Sequence, residues 1–577
     1  MVNKADCVHD CDVLVIGGGL AGCWAALRAK DFTDKVILVE KAKVSKSGAS
    51  SFNAGIMLAP IAGDDLSVWL KEIVEAGEYI SDQDWIEVVL SDQISRLKDF
   101  EAWGLPIERD EDGKMVRIAG RGHVNTRVIP FRGPRLMEIL REHVQKKKIE
   151  LVERVMLLDL LTSDGESPTK GSVVGAIGIG TLSGDIHIFR AKAVIIATSS
   201  MGGRGTMFTD NLTGDGVAMA FRTGANLHGM EFVGPRTGWV FDRRYKVKGL
   251  NMFQHAGAFF VNALEEKFME KYDPELKDRA RTVELTQGLA KEGVEGRGPT
   301  YIDMTHIAPE KWEQFKRVIP STMKMFETLK PWRNKIIFDV GASGTWSNCS
   351  GIWNNIYCET NIPGLYVAGQ AGGFLAHGTY SVGGLNLAIT NVSGYRAGEY
   401  AAKYAQLSIA AKPDSGQVDE FRKVAFYPLE VTSGPTAEDI DYKLKEVMHP
   451  AANILFRHEK RMHDVVQAIV EIRALLNGVT AANPHELTRC HEMRNFALLS
   501  ELVFRASLER KESRGFNLRE DYPYRDDVNW LKRVILTCLT DGSVGIRLEP
   551  IPLYRYPVKP EKLQKIPPKV MPPKSDE

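Results

Sequence analysis

Gly17, Gly19 and Gly22 form a G-x-G-x-x-G run, and Glu40 follows eighteen residues after the last glycine. In that spacing the first glycine permits a tight turn, and the second lets backbone N–H groups approach a pyrophosphate at a helix N-terminus. The third lets helix and strand pack closely, and the acid reaches an adenosine ribose. Such a run alone is weak evidence. Here Val13-Leu14-Val15-Ile16 precedes it, the small residues Ala25-Ala26-Leu27 follow, and a second apolar run, Val36-Ile37-Leu38-Val39, ends on Glu40. Strand, turn, helix, second strand and terminal acid in this order point to a dinucleotide site rather than a glycine-rich turn of some other α/β protein.

Two later segments read as returns to the same sheet. Ala193 to Thr198 is a buried strand followed by the small-residue turn Ser199-Ser200-Met201-Gly202-Gly203, and Gly364 to Gln370 is another, leading to an apolar helix from about Leu385. A chain that leaves its nucleotide domain and re-enters it this late predicts an α/β fold. Its Rossmann-like FAD-binding domain is discontinuous and carries an inserted capping domain. The expected parts are residues 1–235 and 346–435 for the FAD domain, 236–345 for the cap, 436–540 for a helical domain and 541–577 for an extended arm. The segments Lys443–Leu476 and Glu486–Glu512 carry apolar residues at three- and four-residue spacing, which is helical periodicity. Tyr554–Glu577 is rich in Pro and Lys with little to bury, so it reads as extended or disordered.

Length and composition bound the function. A chain of 577 residues exceeds one hydrophobic core, and 44% apolar with 26% charged residues is ordinary for a folded protein. Lys plus Arg and Asp plus Glu number 74 each, so no net field recommends a nucleic acid or an anionic membrane. The N-terminus has no apolar targeting core, and no run approaches the roughly 18 apolar residues of a membrane span. The chain is read as cytoplasmic. Its seven cysteines are scattered without C-x-x-C pairs, which predicts reduced thiols and no metal or cluster site on this chain.

The order of further motifs resembles the fumarate reductase and succinate dehydrogenase flavoprotein family, whose more distant members include L-aspartate oxidase and the α subunit of adenylylsulfate reductase. The resemblance runs through Thr213-Gly214-Asp215-Gly216, Met230-Glu231-Phe232-Val233, Ala256 to Asn262, Cys358-Glu359-Thr360 and His377-Gly378. It ends in Glu512-Ser513-Arg514-Gly515, Arg519 to Pro523 and Arg525-Asp526-Asp527. It implies an FAD site. Gly17, Gly19, Leu20, Ala21, Gly22, Glu40 and Lys41 would hold the ADP half. Ser47, Gly48, Ala49, Ser50, Asn53, Ala54 and Gly55 would wrap the flavin, with Val155, Ala197, Thr198, Ser199 and Asp215 alongside. Gln370 takes the place of an acid that holds the ribitol in relatives. Asn386 and Leu387, opening a helix, would set backbone N–H groups near flavin N1 and O2.

Departures from the family pattern shape the expected chemistry. Relatives with covalent FAD carry a histidine after a serine, where this chain reads Ser47-Gly48. The H-P-T-G motif reads Pro235-Arg236-Thr237-Gly238, and the R-G-E-G-G motif aligns to Gln254-His255-Ala256-Gly257-Ala258. The histidine of H-Y-T-M-G-G falls near Trp346, and the arginine of H-G-A-N-R is Ser381. Among these polar anchors only His377 survives. His377 and His255 are therefore the expected acid/base or substrate contacts, and Arg236 is the expected bidentate anion contact. Trp346 and Tyr380 suggest a flatter, more aromatic ligand than a dicarboxylate. Each also has an ordinary structural reading, His255 as a surface histidine, Arg236 as a surface ion pair and the aromatics as wall packing. With no second dinucleotide fingerprint, electrons are expected to leave through a ferredoxin-like iron–sulfur partner contacting the arm. The alternatives are a stand-alone oxidase and a catalytically silent FAD scaffold. Because Gly48 offers no imidazole, FAD is expected to be non-covalent. Acid precipitation of the loaded protein should then release all yellow colour to the supernatant, and flavin on the washed pellet would refute this.

Overall fold

The computed structural model describes residues 6–202, 212–235, 238–239, 249–329, 335–339, 346–347 and 349–573. The apolar run before the glycines extends into a strand, Cys7–Ile16, which pairs in parallel with Val36–Glu40 and with Ile186–Ile196. These strands sit in a seven-stranded sheet, flanked on one side by Glu150–Glu153 and on the other by Val173–Gly180 and Val155–Thr162. Leu365–Val367 returns to this sheet from far along the chain and pairs in parallel with Val194 to Ile196. Val13, Leu14, Val15 and Val194 to Ile196 are fully buried, as expected for a sheet covered on both faces.

The helix Leu20–Ala29 leaves the glycine turn, and the 23-residue helix Leu385–Leu407 packs across it. Glycine makes this approach: a Cβ on Gly394 would lie 2.6 Å from the Ala21 carbonyl oxygen, and one on Gly398 2.3 Å from that of Ala25. Small residues from two distant segments thereby bring two helix N-termini, at Leu20 and Leu385, to the same edge of the sheet.

The cap is built on a four-stranded antiparallel sheet of Gly238–Trp239, Lys335–Asp339, Thr300–Asp303 and Phe259–Val261. It contributes the helices Leu250–His255 and Thr282–Val294. The helical region follows the expected periodicity and includes a 26-residue helix, Pro484–Glu509, capped by the Asn483 side chain on the Glu486 N–H. It also carries β structure the periodicity did not announce: Lys532–Cys538 pairs with Val544–Pro550 and with Leu227–His228. Among the described residues no helix is long and apolar enough to cross a membrane.

The arm is extended, but it is laid onto its own chain. Tyr556 is buried, Val558 exchanges two hydrogen bonds with the Gln83 side chain (2.7 and 3.1 Å), and Arg555 pairs with Asp84. Lys565–Ile566 forms an antiparallel pair with Arg525–Asp526. Lys569 then reaches the buried Asp273 at 2.8 Å, Val570 is fully buried, and Lys291 donates to the Met571 carbonyl at 2.8 Å. The composition reading missed this because a few anchors, one of them a single valine, fix a segment that is otherwise Pro and Lys. The arm straps the cap to the other two regions. Deleting residues 564–577 is expected to speed amide exchange across helix Thr282–Val294 by about tenfold or more while leaving the Cys7–Ile16 strand unchanged. Equal exchange rates would show that the cap holds without it.

Candidate functional site

A cavity of about 290 Å³ opens between the glycine turn, the N-terminus of helix Leu385–Leu407 and the cap. Gly17 has φ +110°, and a Cβ there would meet the Ala197 carbonyl oxygen at 2.5 Å, so the turn and the strand end touch backbone to backbone. Gly22 does not line the cavity; its absent Cβ would stand 1.7 Å from the Gly17 carbonyl oxygen, which is the close helix–turn packing that the third glycine permits. The Glu40 carboxylate accepts the Gly18 N–H at 2.6 Å, the Ala42 N–H at 3.0 Å and the Ser47 hydroxyl at 3.1 Å. These bonds engage both oxygens of the carboxylate and fix it at the cavity wall. Ser50 accepts the Leu20 N–H at 3.1 Å and so caps the first turn of helix Leu20–Ala29.

Lys41 and Asp215 serve this end from below. The buried Lys41 ammonium donates to Asp215 at 2.7 Å, Thr213 at 3.0 Å and Glu492 at 2.8 Å. Burial opposes its charge, but Asp215 and Glu492 outweigh burial and raise its pKa. Asn495 adds a further hydrogen bond to Asp215 at 3.0 Å. The long helix Pro484–Glu509 is thus tied electrostatically to the floor of the cavity.

At the other end, Gly384 (φ +83°) precedes the first turn of helix Leu385–Leu407, and its carbonyl accepts the Leu58 N–H at 3.1 Å. Asn386, Leu387 and Thr390 line the cavity from this helix. Asn53 lines it too, but its amide is committed to backbone: it donates to Ser50 and Gly133 and accepts from Gly55. Gln370 accepts the Ser199 hydroxyl at 2.7 Å across the sheet edge. A glycine-lined turn, two helix N-termini with their electropositive ends and a fixed carboxylate suit the phosphates, ribose and ring of a dinucleotide.

Apart from Gly22 and Gly55, every residue expected at the cofactor lines this one cavity. Gly55 packs on backbone instead, its absent Cβ 1.7 Å from the Phe131 carbonyl oxygen. The expected catalytic residues fare differently. Tyr380 lines the cavity. His377 does not: it is fully buried, its ring stacked on Tyr380 at 4.8 Å, with Nδ1 accepting the Ser381 N–H at 3.0 Å and Nε2 bonded to Asn386 Oδ1. His255 also stays out of the lining, at the half-buried end of helix Leu250–His255, where burial first and Lys311 second push its pKa down. Both histidines were expected at the ring; neither lines the cavity, His377 being held by Ser381 and Asn386 and His255 by the Ala119 backbone. Arg236 lies outside the described residues, and Trp346 enters only through backbone pairing with Pro235.

Sequence reasoning missed Arg121, Asn251, Thr282 and Phe374, which complete the wall at the capped end. Arg121 is buried, and its Nε donates to Asn251 Oδ1 at 2.7 Å. The run Gly120-Arg121-Gly122 was a usable signal: a cation between two glycines sits where the backbone can approach another segment, and the Gly383 N–H does bond the Arg121 carbonyl at 2.9 Å.

Comparison with known proteins agrees with this geometry. A family described as FAD binding domain matches residues 12–387, and one described as fumarate reductase flavoprotein C-term matches residues 441–570. A fumarate reductase (CoM/CoB) chain of Methanothermobacter marburgensis is 28% identical, over 92% of this chain and 97% of its own. The succinate dehydrogenase flavoprotein subunit of Rickettsia bellii is 26% identical, over 94% and 96%. Among solved structures, the FrdA chain of E. coli quinol fumarate reductase superposes with a TM-score of 0.84 at 20% identity, covering 99% of this chain and all of that one. Adenylylsulfate reductase of Archaeoglobus fulgidus gives 0.78 at 21% identity, covering 95% and 97%. These two establish likeness of fold. For the Glu40 carboxylate, replacement by alanine removes a charged acceptor whose hydrogen bonds are each of the order of 1.5–3 kcal/mol, so FAD affinity should fall roughly tenfold or more. Titration of apoprotein with FAD measures this directly, and unchanged affinity would remove Glu40 from the ribose site.

Proposed function

The chain belongs to the fumarate reductase and succinate dehydrogenase flavoprotein family and is an FAD-dependent oxidoreductase; from that premise we propose that it is the flavin-carrying subunit of an enzyme that exchanges two electrons between a small anionic or aromatic substrate and an iron–sulfur partner. The observation that carries this reading is the single cavity joining the glycine turn, the N-terminus of helix Leu385–Leu407 and a capped end walled by Arg121, Asn251 and Tyr380. Bound FAD supplies hydride chemistry there. The chain's own part is to hold the cofactor, to favour negative charge on the reduced ring through the helix N-terminus, and to orient a substrate under the cap.

The substrate is neither fumarate nor succinate on this reading. Gln254, where relatives carry the proton-delivering arginine, is buried outside the lining with its amide donating to the Asp278 carbonyl. Ser381, where they carry another arginine, is bonded to His377 at 3.0 Å. Neither position supplies a cation to grip a second carboxylate. The iron–sulfur partner is supported by family precedent and by cysteines too scattered to hold a cluster on this chain. A stand-alone oxidase similar to L-aspartate oxidase is the second reading, and the docking of the arm on its own chain favours it, since that arm is then occupied. Loaded with FAD, the protein is expected to reduce fumarate with reduced viologen, and to oxidise succinate with a dye, at well below roughly 1 per second. Ordinary turnover in either assay would overturn the substrate reading. Reoxidation of the reduced protein by air within seconds would favour the oxidase.

A further inference from the structure

We propose that Thr282, together with the start of the helix it opens, binds one carboxylate of the substrate from the cap side of the cavity. The proposal rests on the reading of a small anionic substrate and names the group that receives its charge. Thr282 is the first residue of the 13-residue helix Thr282–Val294, lines the cavity and is 3% exposed. Its hydroxyl makes no hydrogen bond among the described residues. A hydroxyl so buried and unpaired carries a desolvation cost unless the space it faces supplies a partner.

The helix start adds donors to that hydroxyl. Arg281 stands at the N-cap position and gives no side-chain cap, and the Leu285 N–H closes the first turn on the Arg281 carbonyl at 3.0 Å. The amides of the first turn therefore point out of the helix end, where the dipole favours negative charge. The Thr282 hydroxyl and the Thr282 N–H belong to one residue, so an oxyanion that reaches one is within reach of the other. The charges around this end are already paired. Glu284, the acid of the first turn, is buried and accepts Arg281 Nε at 2.9 Å, and the same guanidinium donates to Glu78 at 3.0 Å and to the Ala76 carbonyl. The acids in the described lining are Glu40 and Asp215, whereas the cap lines the cavity with Gly249, Leu250, Asn251 and Thr282, none of them charged. A ligand oxygen arriving on this side meets neutral donors and no carboxylate.

The helix start is also held in place. The Gly122 N–H donates to the Arg279 carbonyl at 2.9 Å, and a Cβ on Gly122 would lie 3.0 Å from Arg281 Cγ. One turn further on, Gln287 donates to the Gly515 carbonyl at 2.7 Å. Segments around Glu78, Gly122 and Gly515 thus pin the first two turns, and donors fixed before the ligand arrives lose little freedom on binding.

The test titrates FAD-loaded protein at neutral pH with acetate, crotonate and benzoate, each beside its neutral amide, followed by calorimetry and flavin difference absorbance. At least one carboxylate should bind wild type saturably and about tenfold or more tightly than its amide. Thr282→Val keeps the shape and removes the hydroxyl, so it should weaken that carboxylate by about tenfold. Thr282→Ser, which keeps the donor, should stay within about threefold of wild type. FAD affinity should be the same in all three proteins, which also shows that each is folded and loaded. No carboxylate preferred over its amide, a Thr282→Val protein that binds as wild type does, or a Thr282→Ser protein that loses as much as Thr282→Val would each overturn the subsite. A fall in FAD affinity matching the fall in carboxylate affinity would overturn it too, because Thr282 would then serve the cofactor. Ordinary turnover of fumarate or succinate would instead overturn the reading of the substrate, and the comparison of the valine and serine variants would still decide the subsite.

Discussion

Gly394 and Gly398 let the backbone of helix Leu385–Leu407 lie against the backbone of Leu20–Ala29, and the remaining architecture follows from that contact. A methyl group at either glycine would overlap a carbonyl oxygen of the first helix, at 2.6 and 2.3 Å. The steric room is so small that two helices separated by more than 350 residues meet in one register only. Fixing that register aligns both helix N-termini on one cavity, and it delivers the strand Leu365–Val367 to its place beside Val194 to Ile196. The electropositive ends of two helices then share one space, an arrangement that suits an anionic cofactor from the pyrophosphate to the reduced ring.

A second constraint is electrostatic and holds the outer regions to this frame. Arg510 and Arg514 are fully buried and meet Glu231, Glu512 and Asp527 at 2.6 to 2.9 Å. Arg514 also donates to the Glu78 carbonyl, while the Gly515 N–H bonds the Glu78 carboxylate at 3.0 Å. Arg457, beside them, donates to the carbonyls of Glu231 and Val233 and to Asn517; burial first, and Arg519 second, lower its pKa to about 9. Such a network adds little net stability over apolar packing, but removing one member strands a buried charge at a cost of about 3–5 kcal/mol. Its role here is specificity of docking. The run Glu512-Ser513-Arg514-Gly515 joins the C-terminal region to Glu78, whereas Lys41, Asp215 and Glu492 join the same region to the cavity floor.

The parts legible in the sequence were those written in backbone terms. Gly17 and Gly22 announced a turn and a close helix, and the runs around Val13, Val36, Ile195 and Val367 announced one sheet, because a missing Cβ or an apolar run has few interpretations. Side-chain direction was harder to read. His377 stood in the right motif, yet Ser381 and Asn386 claim both of its ring nitrogens. Arg121 stood in no motif, yet three-dimensional proximity to Gly383 and Asn251 sets it in the wall. The arm was hidden for a different reason. Composition averages over residues, while Val570, Lys569 and Tyr556 anchor it singly.

This division has a consequence for the chemistry. The cofactor end is specified by glycines and helix termini, whose donors are backbone N–H groups that a side-chain substitution other than to proline leaves in place. The capped end is specified by side chains from three separate stretches, around Arg121, Asn251 and Tyr380, each carried on a short turn or helix start. Exchanging Arg121 or Asn251 alters charge or shape at that end while the glycine turn and both helix starts keep their backbone. A family fold can therefore keep its cofactor while its ligand changes, and function has to be argued from the capped end rather than from the fold.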